Sequence, residues 1–286
     1  MPRRSFSILL QHIVPQRLLT KFAGCVANCR WPWLKNFIIR SFIKKYGVDL
    51  QLAILEKPED YPNFNLFFTR SLKPSVRPCL ASALEIACPA DACVSQAGEI
   101  IGDTLFQAKG FDFNLINLLG NDVNLARKLS SGHFATFYLA PKDYHRVHMP
   151  IAGKLMQTTF IPGHLFSVNQ NTASNVQNLF ARNERLVCVF ETAIGPMAVI
   201  LVGAMLVSSI STVWTNAVIH AKKITTQNYA GDIYLAQGAE LGHFQMGSTV
   251  IVLFPKDTIR WQHDLLANKE VQVGQKIGNI IALANT

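Results

Sequence analysis

Gly242-His243-Phe244-Gln245-Met246-Gly247-Ser248-Thr249-Val250-Ile251-Val252-Leu253-Phe254-Pro255 is the stretch from which the fold of this chain can be read. Val250 to Phe254 form an unbroken apolar run closed by Pro255, which reads as a buried strand. Gly242 and Gly247 bracket the residues before it, so Ser248 stands at a turn leading into a rigid strand. Gly247 has no Cβ; its carbonyl can be approached closely and its backbone can take strained angles. Gly-Ser-Thr alone is an ordinary turn sequence, and what gives it meaning lies upstream.

Outward from that strand the texture is β back to about residue 80. Short apolar runs recur at 135–139, 155–161, 186–190 and 197–207, and again at 280–283, with Gly or Pro between many of them. Residues 112–130 are expected to supply a helix. Pro58, Pro62, Pro74 and Pro78 mark an irregular connection that encloses the apolar turn Phe64–Arg70. Before it the pattern is helical. Phe6, Leu9, Leu10, Ile13 and Val14 recur at three- and four-residue spacing; a second helix is expected from Gln16 to about Asn28, and a third after Trp31-Pro32-Trp33 with Leu34, Phe37, Ile38, Ser41 and Phe42 on one face. The fold predicted is α+β: N-terminal amphipathic helices, then a mainly antiparallel β body. The boundary is drawn at residues 1–45 and 46–286.

The chain has 286 residues, 49% hydrophobic and 16% charged, which suits a packed domain and excludes disorder. Its net charge of +9 is unevenly spread. Residues 1–50 carry nine basic residues against Asp49 alone, a net +8; the rest carry 18 basic and 17 acidic, a net +1. A basic module with large aliphatic residues and two tryptophans fits an anionic membrane interface better than nucleic acid. No cleavable signal peptide is convincing, and Thr192–Ile219, free of charge but broken by Gly195-Pro196, Gly203 and a polar run, reads as two strands rather than a membrane span. The six cysteines form no CxxC pair and are expected to be reduced and mostly buried.

His145 and His148 lie three apart between Pro141 and Pro150. The prolines leave little room for a helix that would bring both to one metal, and no third ligand is compelling, so no metal is expected and two separate roles are.

The chain resembles bacterial phosphatidylserine decarboxylases of the short, membrane-associated form. The resemblance rests on ordered matches: Phe64–Arg70 with Leu72-Lys73-Pro74 and Arg77-Pro78, Pro89-Ala90-Asp91, Gln107-Ala108-Lys109-Gly110, Asp143–Pro150, Pro162–Asn169, Leu179–Arg185, Gly195-Pro196-Met197 and Gly247-Ser248-Thr249. Met246 stands where the family commonly has Leu, Ala92 where Gly follows the aspartate, and His164 where an acid is common. The resemblance implies self-cleavage between Gly247 and Ser248 into residues 1–247 (the β chain) and 248–286 (the α chain). Asp91 would orient His148, and His148 would take the proton of Ser248. Ser248 would become a covalent pyruvoyl cofactor that forms a Schiff base with phosphatidylserine, and His145 would be the proton donor in decarboxylation. It further implies phosphatidylethanolamine and CO₂ as products, peripheral attachment at the cytoplasmic face of the bacterial inner membrane, and a dimer of cleaved heterodimers. The rival reading is a lipid-acting serine hydrolase using Ser248, His148 and Asp91 without self-cleavage; it lacks the Gly-x-Ser-x-Gly elbow.

Overall fold

The structure is a computed structural model that describes residues 16–108, 111–204, 210–215, 221–244 and 248–281. The helix expected over residues 5–14 lies outside them. The Val250–Phe254 run is the middle of the strand Ser248–Phe254, and each of its five residues is fully buried. That is why it shows no alternation of apolar and polar residues: both faces are covered. Its neighbours are Gly195–Val202 on one side and His133–Leu139 on the other. The sheet continues past the first through Arg185–Thr192 and Gly153–Ile161 to Thr225–Asn228, and past the second through Ala92–Glu99 to Glu270–Val271. Every ladder in it is antiparallel, so the α+β expectation holds. In place of one helix over 112–130 there are two short ones, Leu115–Leu118 and Val123–Leu129. Gly120 and Asn121, both at positive φ, break the helical path between them.

A second, three-stranded sheet orders Ile210–Thr212, Glu240–Phe244 and Arg146–His148. It places His148 opposite Glu240, on the segment that leads toward Ser248.

The N-terminal part contains helix α1, Gln16–Ala27, and helix α2, Pro32–Tyr46. Pro32 opens α2, where a missing N–H costs nothing, and Gly47 at φ +68° closes it by donating its N–H to Ile43 O. The short helix α3, Phe64–Phe68, is capped by the Asn63 side chain, which accepts from Leu66 N. These helices share a core separate from that of the sheet: Ile39, Val48, Ala53, Tyr61, Phe64, Phe67 and Phe68, with the Phe42 ring edge-on to all three phenylalanines of α3. The buried face of α2 therefore centres on Ile39 and Phe42. Phe37, expected on that face, is 68% exposed, as Trp31 and Trp33 are exposed; the helix turns its other side toward α3, and its aromatic start is left outside. Only Cys88 and Cys188 are fully buried; Cys25 and Cys79 are exposed, because they lie on an outer helix and on the proline-rich connection rather than in the sheet.

Candidate active site

The backbone of Ser248 starts the central strand and pairs with Leu139. Gly247 and the side chain of Ser248 lie outside the described residues. The two neighbours of Leu139 in sequence, Tyr138 and Ala140, line a cavity of about 400 Å³, together with Asp91 and Tyr144. Position 248 is thus one strand away from this cavity, to which Asp91 contributes but His145 and His148 do not.

His148 is held at both ring nitrogens. Nδ1 lies 2.8 Å from Gly238 O and Nε2 3.2 Å from Tyr144 Oη. A carbonyl can only accept, so the proton sits on Nδ1, and Nε2 is a lone pair receiving the tyrosine hydroxyl. Burial pushes the imidazole pKa down, with the Gly238 carbonyl partly opposing it, so the ring is neutral at neutral pH. Removal of a serine proton requires a lone pair on Nε2, and here that lone pair is present but held by the Tyr144 hydroxyl.

Sequence reading sets Asp91 behind His148; the structure gives the aspartate a different partner. Arg77 Nε lies 2.9 and 3.0 Å from the two carboxylate oxygens and Nη2 2.7 Å from Oδ2, while Val273 N donates to Oδ1 at 2.9 Å. The forked guanidinium and one backbone N–H occupy the carboxylate. The link from this segment to His148 is through the backbone: His148 N donates to Pro89 O at 2.8 Å. The group that fixes the His148 tautomer is Gly238 O. Gly238 has φ +76°, and a Cβ there would stand 2.9 Å from Cys79 Cβ, so the position demands glycine twice over. Arg77, Tyr144 and Gly238 were not assigned roles from sequence. Arg77 and Tyr144 lie in the matching stretches, but Gly238 carried no signal beyond being a glycine in a turn.

His145 is fully buried, three residues from His148 but differently placed. Its Nδ1 donates to Asp143 O at 2.7 Å, its ring lies 4.0 Å from that of Phe68, and its Nε2 is buried with no partner. Burial pushes its pKa down to about 3. The Asp143 carboxyl, accepting from Ala140 N, is raised by burial to about 6. Arg146, between the histidines, binds Glu240 Oε2 at 2.8 Å and Thr69 O at 3.0 Å, tying the histidine strand to the end of α3.

A family model described as phosphatidylserine decarboxylase matches residues 64–279, and a second, described as PSD, matches residues 6–47. Similar curated proteins carry the name phosphatidylserine decarboxylase proenzyme. One from Ectopseudomonas mendocina is 51% identical, with 98% of this chain and 99% of that protein covered. One from Pseudomonas fluorescens is 49% identical, covering 96% and 98%, and one from Pseudomonas putida is 50% identical, covering 94% and 95%.

Proposed function

The chain belongs to the phosphatidylserine decarboxylase family, and from that premise we propose how its own residues carry the reaction. It is a carboxy-lyase that converts phosphatidylserine to phosphatidylethanolamine and CO₂. It is made as a proenzyme, and the bond cut is Gly247–Ser248. The Ser248 hydroxyl attacks the Gly247 carbonyl while His148 Nε2 takes its proton, giving an ester. Elimination leaves a carboxylate on Gly247 and dehydroalanine at 248; hydrolysis then releases ammonia and leaves a pyruvoyl group. The observation that supports this best is the neutral His148, its Nδ1 proton donated to Gly238 O and its Nε2 lone pair held by the Tyr144 hydroxyl. Ser248 must displace that hydroxyl for Nε2 to act as base; Tyr144, four residues from His148, lines the cavity. In this reading Asp91 acts from its Arg77 anchor, contributing negative charge near His148 rather than a direct hydrogen bond.

The residues around position 248 fit a pyruvoyl group: it would stand at the head of a rigid strand beside a cavity with polar walls. Such a group supplies an electrophilic carbonyl that captures the substrate amine and takes up the electrons of the breaking C–CO₂ bond. His145 holds a proton on Nδ1 and keeps Nε2 buried without a partner. It follows Asp143 and Tyr144 of the cavity wall in sequence rather than standing in the wall itself. As proton donor to the substrate α-carbon it must be protonated on Nε2 and come within reach of the cavity, and an anionic substrate favours the protonation.

Residues 1–45 form the membrane-associating segment and 46–286 the catalytic domain. The exposed Phe22, Trp31, Trp33 and Phe37 on a basic module suit the interface of an anionic bilayer, at the cytoplasmic face of the bacterial inner membrane. Among the described residues no helix is long and apolar enough to cross it. Pairing of cleaved protomers into a dimer belongs to the same reading. Intact mass tests the core of it: the protein should consist of residues 1–247 and 248–286, the smaller piece resisting Edman degradation, and should release CO₂ from phosphatidylserine. An active protein made only of whole chains would favour the serine hydrolase instead.

A further inference from the structure

Arg70 follows α3 and is only 5% exposed. Its Nη2 donates to Lys142 O at 2.9 Å and Asp143 O at 3.3 Å, while Nε and Nη1 are buried with no partner. It lines the same cavity as Asp91 and Tyr144. The other two cations of that wall are matched, Arg77 by Asp91 and Lys142 by Glu270 at 3.2 Å. Among the described residues no carboxylate forms an ion pair with Arg70. Burial lowers its pKa, yet a guanidinium keeps its charge in proteins. A buried cation with two idle nitrogens is unfavourable in itself, and its planar fork is matched to an oxyanion.

We propose that Arg70 receives the phosphate of the substrate headgroup in this cavity. The proposal rests on the decarboxylase reading and adds to it the residue that selects a phospholipid over other serine derivatives. The substrate carries two anions, and chemistry separates them. A guanidinium on the departing carboxylate would stabilise the ground state more than the transition state, in which that charge leaves toward position 248. The phosphate keeps its charge throughout, so binding it there holds the substrate without opposing the reaction. Position agrees. The Asp143 carbonyl that Arg70 binds also holds His145 Nδ1, so a phosphate on Arg70 would sit within a few residues of the proposed proton donor. α3, which places Arg70, packs on Phe42 of the membrane-facing helix α2.

The test compares wild type with Arg70→Gln and Arg70→Lys, each checked for cleavage on a gel. CO₂ release is measured on glycerophosphoserine, a soluble phosphodiester, and on O-methylserine, which lacks phosphate. Arg70→Gln should lose about 10- to 100-fold more in kcat/KM on the first than on the second, chiefly through KM, as expected for a lost charged hydrogen bond; Arg70→Lys should retain part of the preference. Equal proportional losses on both substrates would make Arg70 structural and overturn the proposal, as would no loss. Should the variants remain uncut, phosphorus NMR decides with wild type and Arg70→Lys. Glycerophosphoglycerol, a phosphodiester without an amine, should be broadened by wild type and less so by the variant, and more strongly than inorganic phosphate. No broadening, or broadening by inorganic phosphate alone, refutes a headgroup site. A wild-type protein that releases no CO₂ from phosphatidylserine vesicles defeats the decarboxylase reading instead.

Discussion

Replacing His145 by Gln should change the acid sensitivity of the fold by an amount that the structure sets. His145 is fully buried, with its proton on Nδ1 facing Asp143 O and a native pKa pushed down to about 3. In the unfolded chain an imidazole titrates near 6.5. The native pKa is the lower one, so as pH falls the unfolded state binds the proton first, and stability present at neutral pH drains away between about pH 6.5 and pH 3. Between about pH 7 and pH 4.5 the loss from this one group is about 2.5 kcal/mol. That figure depends mainly on the unfolded pKa, and holds for any native value below about 4. Asp143, raised to about 6, works the other way: its native pKa exceeds the unfolded one, so it adds stability as pH falls from about 6 to about 4. The wild-type curve is therefore flattened, whereas a comparison of two proteins that both keep Asp143 isolates the histidine. The assay is urea unfolding of Ser248→Ala and Ser248→Ala/His145→Gln, both uncut, at the two pH values. The double variant should be less stable at neutral pH, through lost packing on Phe68, and should close the gap by about 2–3 kcal/mol at the lower pH. A gap that stays constant would show that His145 is not held neutral, and the assignment of its proton would fall with it.

The two histidines should separate in a gel run beside a CO₂ assay. His148→Ala is expected to stay largely whole and inactive, whereas His145→Ala is cut at least in part yet loses on the order of 10²–10⁴-fold in turnover; near wild-type turnover in cut His145→Ala protein removes it from the chemistry. Gly238→Ala should slow self-cleavage and lower stability by about 1–3 kcal/mol, from the strained φ alone, and Cys79→Gly in the same chain should relieve the steric part without restoring the rest. Cleavage of folded Gly238→Ala at the wild-type rate would show that its carbonyl does not govern His148. Trp31, Trp33 and Phe37, changed together to Ser, should weaken binding to anionic vesicles while leaving CO₂ release from glycerophosphoserine in place; undiminished binding assigns the contact to other residues.

The sheet was legible because its central strand is apolar on both faces and closed by Pro255, and the basic helices because their apolar residues repeat at helical spacing. What periodicity could not supply was which side of α2 is inward. Phe37 and Phe42 are equally apolar, and the choice between them is made by the phenylalanines of α3, distant in sequence. The break at Gly120-Asn121 was hidden for a related reason: the flanking Leu residues still fit one helical pattern, and only the positive φ values interrupt it. At the site, ordered motifs pointed to Asp91, His145 and His148 by residue type, but hydrogen-bond partners are set by tertiary contact. Nothing in sequence says that Arg77, rather than His148, occupies the Asp91 carboxylate, or that the tautomer of His148 is set by a backbone carbonyl 90 residues away.

The strand that begins at Ser248 has a further consequence once the chain is cut. It is hydrogen-bonded along both edges, and beyond it Glu270–Val271 and Lys276–Ile280 pair with strands from the larger piece. Cutting the 247–248 bond would leave those ladders in place from Thr249 onward, with only residue 248 losing its nitrogen, so the two pieces would stay together. What changes is the molecularity of folding. The precursor folds as one chain, with the search for partners confined by the connecting backbone; the cut protein must reunite two chains from solution. Its apparent unfolding midpoint should therefore rise with protein concentration, while that of the Ser248→Ala precursor does not. Maturation thus turns a fold that can be regained alone into one whose recovery depends on how much of each piece is present.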